Sequence, residues 1–301
     1  MTILRTPDSR FEKLAGYDFK PHYTEIEDQA LGSIRIAHVE EGQTDGPVVL
    51  LLHGEPSWSY LYRKMIPPLV EAGARVLAPD LVGFGRSDKP DQVKHYSYAA
   101  HVDWMQKWLE AQNLSDVTLF CQDWGGLIGL RLVAAQPELF AGVVASNTFL
   151  PIGDREPSEA FMNWRTFSQE TPDFNAGHIL QGATVSELSA EEIAAYNAPY
   201  PDDSYKAGAR AFPILVPIGT DDPETEANKA AWKVLETFDK PFLTLFGDSD
   251  PVTKGGEQVM RARIPGCEGQ PHRIIEKGGH FIQEDAGPEL AAEIISMLGL
   301  K

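Results

Sequence analysis

A chain of 301 residues is long enough to bury a full core, as one large domain or as a core carrying an inserted module. Its formal net charge of −18 argues against nucleic acid and anionic membrane as partners, because both need clustered cations to neutralise phosphates or head groups. The opening stretch MTILRTPDSRFEKL lacks the apolar run of a secretion signal, and no later segment is apolar for long enough to span a bilayer, so a cytoplasmic protein without membrane attachment is expected.

In chain order, an antiparallel strand is expected near 33–39, followed by short β-branched or leucine-rich runs at 48–52, 76–78, 117–120, 143–145, 242–246 and 273–275. Between most of them, as at 98–111 and 127–135, apolar residues recur every three or four positions, which predicts amphipathic helices. Alternating strands and helices imply parallel strands joined by crossover helices and covered on both faces. The alternation stops between about 150 and 218, where prolines from Pro151 to Pro217 break the sequence into helical fragments and no strand-like run appears. The expected architecture is therefore α/β, a mostly parallel central sheet flanked by helices. Residues 1–149 and 219–301 would form this core, residues 150–218 an inserted helical cap, and residues 289–298 the closing helix. Cys121, in an apolar strand, and Cys267, in a Gly/Pro-rich turn, have no CxxC or Cys/His partner at metal spacing. Both are read as reduced thiols, with no disulfide and no zinc site.

The residues able to do chemistry lie where predicted strands end. One strand runs into Cys121-Gln122-Asp123-Trp124-Gly125-Gly126 and straight on into a helix. That is the small-x-nucleophile-x-Gly layout of a nucleophile elbow, with Asp123 at its tip and Cys121 in place of the first glycine. A side chain at position 125 would collide with the strand or helix packing. An acid at a helix N-terminus is kept ionised by backbone N–H groups and the dipole. Service as a plain N-cap would explain Asp123, but neither the two glycines nor the partners downstream. After the run at 48–52 comes His53-Gly54-Glu55-Pro56, at the sheet edge where ligands of open α/β folds bind. Gly54 would let the backbone approach closely, so that the N–H groups of Glu55 and Trp124 could form an oxyanion hole. Asp248 and Asp250 follow the next-to-last strand, and Gly278-Gly279-His280-Phe281 follows the last. The order Asp123, Asp250, His280 is nucleophile, acid, base. Asp250, at the loop tip before Pro251, is preferred to Asp248, which reads as a turn or capping residue, while His53, His178 and His272 read as structural. Gly83-Phe84-Gly85-Arg86-Ser87 does not fit GxGxxG and is a turn beside the site.

HGEP at 53–56, DLVGFGRSDKP at 80–90, CQDWGG at 121–126, GDSDP at 247–251 and GGHF at 278–281 together resemble the α/β-hydrolase superfamily. HGEPSWSYLYRKMIPPL with CQDWGG is similar, more narrowly, to the haloalkane dehalogenases, and the resemblance covers nearly the whole chain. It implies hydrolysis of a carbon–halogen bond through an ester on Asp123, with no cofactor and no metal. Trp124 would be one halide-binding donor, and Trp164, in Phe161-Met162-Asn163-Trp164-Arg165, a second. The resemblance also matches Asp250 to the catalytic acid of one subfamily, and Asn147 to an asparagine after the strand preceding the cap. Phe161, Phe212 and Pro213 are expected to line the substrate pocket. The implied partners are a small apolar halogenated alkane and the halide product, and a monomer is expected. One rival is an epoxide hydrolase, with the same machinery and a cap tyrosine among Tyr196, Tyr200 and Tyr205 to protonate the epoxide; Trp164 and Glu55 weigh against it. The other is a binding protein that keeps the fold without turnover, against which the complete Asp123, Asp250, His280 set weighs.

Overall fold

In a computed structural model describing residues 2–301, the apolar runs become strands whose alternate side chains leave opposite faces, and both faces are covered. The strands in chain order are β1 (Ile3–Leu4), β2 (Pro21–Asp28), β3 (Gly32–Glu41), β4 (Val48–Leu52), β5 (Arg75–Pro79), β6 (Lys89–Pro90), β7 (Val117–Gln122), β8 (Phe140–Ser146), β9 (Phe242–Gly247) and β10 (Arg273–Ile275). Eight of them form one sheet in the order β10-β9-β8-β7-β4-β5-β3-β2, and β1 and β6 make a separate short ribbon. β3 is antiparallel to both its neighbours, and the remaining pairs of the large sheet are parallel. β4 shows the logic. Leu50 and Leu52 join Ile34, Ile36 and Trp108 on one face, and Val49 and Leu51 join Leu61, Ile66 and Ile294 on the other. Each such side chain contributes roughly 1.5–3 kcal/mol by leaving water.

The helices are α1 (Ile66–Glu71), α2 (Tyr98–Gln112), α3 (Trp124–Ala135), α4 (Glu159–Glu170), α5 (Ala176–Gly182), α6 (Ala190–Asn197), α7 (Ala207–Leu215), α8 (Thr225–Leu235), α9 (Gly256–Arg263) and α10 (Ile282–Met297). Among the described residues no strand lies between β8 and β9, and none of the helices is long and apolar enough to cross a membrane. The strand expected near 33–39 is β3, but its partner β2 was not foreseen. β2 is an edge strand of sequence PHYTEIED with only Ile26 buried, so it carries no apolar alternation to read. The last helix begins at Ile282, well before 289. Pro288 supplies no N–H, and Ala286 (φ −137°, ψ 24°) breaks the first turn, which hides the start from a periodicity count.

α6 is tied firmly to the core. Arg63, buried after β4, pairs with Glu192 of α6 at 2.5 Å and with Glu284 of α10, which also accepts from the Tyr196 hydroxyl. Trp58 Nε1 donates to the Ala195 carbonyl (3.2 Å) and the Thr6 hydroxyl to the Pro199 carbonyl (2.7 Å). Because β4, β7, β8, β9 and β10 run parallel, the loops that follow them converge on one edge of the sheet.

Candidate active site

β7 ends at Gln122 and α3 starts at Trp124, so Asp123 alone turns the chain, at φ +50° and ψ −126°. A non-glycine residue held there costs on the order of 1–3 kcal/mol. The turn is fixed by hydrogen bonds from Asp123 N to the Asn147 carbonyl (3.0 Å), and to the Asp123 carbonyl from Gly126 N (2.9 Å) and the Thr148 hydroxyl (2.7 Å). A Cβ on Gly125 would overlap the Leu52 carbonyl, and one on Gly54 the Asp123 carboxylate, so both positions exclude a side chain. Gly54 thereby lets Glu55 N donate to Asp123 Oδ1 at 2.8 Å. The Trp124 N–H opens α3, where the first amides have no intrahelical carbonyl to bind.

The loops after β9 and β10 bring Asp250 and His280 to the same point. His280 Nε2 lies 3.4 Å from Asp123 Oδ2, and His280 Nδ1 lies 3.1 Å from Asp250 Oδ2. Asp250 is 2% exposed and also accepts from Val252 N (2.9 Å) and the Thr253 hydroxyl. Burial alone would raise its pKa, but the His280 charge and hydrogen bond, with those from Thr253 and Val252, hold it below the ordinary carboxylate value. Burial would in turn lower the pKa of His280, yet Asp250 first and then Asp123 raise it above that of a free imidazole. Asp248, by contrast, is exposed and accepts from the Ser249 hydroxyl in its turn (2.7 Å).

Several residues to which the sequence reading gives no clear role hold the histidine loop. Asn147 donates to the carbonyls of Gly279 (2.7 Å) and His280 (3.0 Å) and accepts from Gly247 N (2.8 Å), so one amide stitches the ends of β8, β9 and β10. Gln122 adds a second donor to the His280 carbonyl at 3.0 Å. On the far side His280 N donates to the Ala183 carbonyl (2.8 Å), and Asp285 accepts from Gly279 N (2.8 Å) and Ser186 N (2.7 Å). The only local sign of Gln122 is an amide at the end of a fully buried strand. The side chain of Glu55 is 4% exposed and its Oε1 has no partner; burial, then the Asp123 charge, push its pKa well above the ordinary glutamate value.

Above these groups lies a cavity of about 1350 Å³, lined by Asp123, Trp124 and His280 from the loops and by Phe161, Trp164 and Pro213 from α4 and α7. The indole N–H groups of Trp58, Trp104 and Trp232 each donate to a protein acceptor. Those of Trp108, Trp124 and Trp164 have none among the described residues; Trp108 is buried in the core, whereas Trp124 and Trp164 line the cavity. Phe212, expected on the pocket wall, lies behind it. Fully buried, its ring stacks on Trp124 (4.2 Å, 9°) and on Phe84 (4.8 Å, 23°), because the alternate face of α7 points into the core. It therefore fixes the Trp124 ring instead of meeting a ligand. No tyrosine lines the cavity among the described residues: Tyr196 is bound to Glu284, the Tyr200 hydroxyl donates to the Pro56 carbonyl (3.4 Å), and Tyr205 packs on the core. The epoxide hydrolase reading thus lacks its proton donor. His53 is a buried structural residue bonded to the Gly54 carbonyl (2.8 Å) and Leu81 N (2.9 Å), and His272 bridges Thr244 N (3.1 Å) and the Cys267 carbonyl (2.9 Å). His178 is exposed at the cavity rim, and both cysteines are buried free thiols.

Comparison with known proteins gives the following likenesses. A family model for the alpha/beta hydrolase fold matches residues 47–287. The haloalkane dehalogenase of Psychrobacter cryohalolentis is 56% identical over 298 residues, covering 99% of this chain and 98% of that protein. That of Mycolicibacterium paratuberculosis is 52% identical over 98% of each. Among solved structures, the tetrameric haloalkane dehalogenase DpaA from Paraglaciecola agarilytica NO2 superposes with a TM-score of 0.90 at 33% identity over 97% of both chains. DbeA from Bradyrhizobium elkani USDA94, a further haloalkane dehalogenase, gives 0.79 at 26% identity over 94% of this chain and 99% of its own.

Proposed function

Since the chain belongs to the haloalkane dehalogenases of the α/β-hydrolase fold, hydrolases acting on carbon–halogen bonds, we propose that Asp123 is the nucleophile that displaces halide from a haloalkane. The observation that carries this reading is His280 set between two carboxylates, 3.4 Å from Asp123 and 3.1 Å from Asp250. One Asp123 oxygen attacks carbon from the side opposite the halogen; the carbon–halogen bond breaks, and an alkyl ester and a halide ion form. A carboxylate is ionised at neutral pH and needs no base for this step. The Trp124 and Trp164 N–H groups hold the departing halide without contributing positive charge. Esterification removes the Asp123 charge that helps keep His280 protonated, so the imidazole gives its proton to solvent. It then takes one from a water, which attacks the ester carbonyl while the N–H groups of Glu55 and Trp124 hold the oxyanion. Collapse returns Asp123 as carboxylate and releases alcohol. The net reaction takes up one water and yields alcohol, halide and one proton.

Residues 150–218 would act as the cap on a core of residues 1–149 and 219–301, in keeping with a cavity walled by Phe161 and Trp164 on one side and Asp123 and His280 on the other. The apolar wall of Phe161, Pro213, Trp164 and Leu127 suits a small neutral alkane. A cytoplasmic location fits two buried free thiols. Whether the chain is the expected monomer or a tetramer like the DpaA relative is decided by light scattering on the purified protein. The mechanism is tested with His280→Phe and a bromoalkane: intact-mass spectrometry should show one alkyl group, placed on Asp123 by peptide mapping. A protein that releases bromide with no adduct, or carries it elsewhere, overturns the assignment.

A further inference from the structure

We propose that the outer hairpin of the sheet carries a transition-metal site formed by His22, His38 and Glu40. The register of β2 against β3 sets His22 directly opposite His38, and Glu40 lies two residues further along β3. Directly opposed residues share a face, and so do residues two apart on one strand, so three donors project to one side of the sheet. One donor atom from each lies within 4.8 Å of the others, and His38 Nε2 and Glu40 Oε2 are 3.9 Å apart. A tetrahedral divalent ion with bonds of about 2.0–2.1 Å holds its ligand atoms roughly 3.3–3.5 Å from one another. His22 is exposed and Glu40 partly so, and small rotations of these two side chains close that gap.

Two further observations point to a ligand. His38 is 5% exposed, packed on Trp108 (ring centroids 5.3 Å) and His22 (5.5 Å), and its Nε2 is turned toward Glu40 but lies beyond hydrogen-bond range of it at 3.9 Å. An ion on Nε2 would bridge that nitrogen to Glu40 and His22 across a gap that no hydrogen bond spans. Meanwhile Arg75 takes Glu40 Oε1 through Nε (2.8 Å) and an Nη (2.7 Å), which leaves Oε2 turned to the histidines. That is the outer-shell hydrogen bond that orients a ligating carboxylate. Two imidazoles and one carboxylate with a position open to water suit Zn²⁺, Ni²⁺ or Cu²⁺, and not Mg²⁺ or Ca²⁺. β5 and β4 lie between this hairpin and β7, so the ion would pin an edge strand and leave the chemistry at Asp123 alone.

The test uses the full-length protein after EDTA treatment and removal of the chelator, titrated with Zn²⁺ by calorimetry. One ion should bind per chain, raise the melting temperature and leave bromoalkane turnover unchanged. His22→Ala, at an exposed position, and Glu40→Gln should each weaken binding by at least about tenfold and abolish the thermal shift. Wild-type protein that takes up no Zn²⁺, or variants that bind it as tightly as wild type, would refute the site; a water then bridges His38 and Glu40.

Discussion

Trp164→Phe removes one N–H from the cavity wall while keeping most of the aromatic surface that α4 presents to Phe167 and Phe174, whose ring centroids lie 6.0 and 6.1 Å away. The two consequences differ in size. Trp164 is half-buried, so losing the outer part of the indole costs the fold at most about 1 kcal/mol at roughly 25 cal/mol per Å². Loss of a preorganised donor to developing charge costs about 2.7–4 kcal/mol, or 10²–10³ in rate. Halide spreads its charge over a large, soft ion, so the lower end applies, about a hundredfold. The loss should fall on carbon–halogen cleavage, read by bromide release in single turnover. Bromide quenching of indole fluorescence should weaken in parallel. A variant whose melting point moves while turnover and quenching stay at wild-type levels would mean that Trp164 only packs. The second donor would then be sought in Glu55, which also lines the cavity.

Asp250→Asn keeps the shape of the acid and removes its charge, so hydrolysis should slow by about 10⁴ and the ester on Asp123 should accumulate in burst kinetics; equal slowing of both steps would show that Asp250 does not act through His280. Glu284→Gln should lower stability by about 3 kcal/mol in chemical denaturation, since Arg63 is left short of a buried partner. Burial opposes the ionisation of Glu284, but Arg63, Lys64 and Tyr196 hold its pKa below the ordinary value. Its contribution is therefore present at neutral pH and lost as pH falls through the folded-state pKa, and the variant's melting temperature should fall less steeply in acid than that of wild type. In stopped-flow with a pH indicator, the proton should appear with ester formation and before alcohol; release only with the alcohol would mean that His280 is neutral in the resting enzyme.

The site was legible where its geometry is local. Gly54 and Gly125 admit no Cβ beside Asp123 and Leu52, so the elbow and the His53-Gly54-Glu55-Pro56 turn must look alike wherever they occur. The same holds for the inner parallel strands β4, β5, β7, β8 and β9, which are buried on both faces. What could not be read depends on pairings between distant segments. Asn147 reaches Gly279 across 132 residues and Gln122 reaches His280 across 158, and no spacing in the sequence announces either bond. Phe212 and Pro213 are neighbours in sequence and both are expected on the pocket wall, but only the packing of Phe212 against Trp124 shows that Phe212 turns to the core while Pro213 lines the cavity. β2 escaped notice because an edge strand needs few apolar residues.

If Trp124 and Trp164 hold the halide as proposed, neutral N–H donors meet it beside Asp123 although the cavity lining also includes Arg155, Lys254 and Arg263. An arginine or lysine in place of either indole would stabilise a leaving halide, but it would also bind the free ion tightly in a low-dielectric pocket, where unlike charges attract far more than in water. A neutral N–H discriminates better. It gains most while charge is developing on the halogen and least from a halide already free to be hydrated, so binding is concentrated on the transition state. A cation would also compete with His280 for Asp123 and Asp250, and so weaken the coupling by which ester formation frees the base. The acidic exterior works in the same direction: at a net charge of −18 the field opposes halide return from solvent and has little effect on entry of an uncharged alkane.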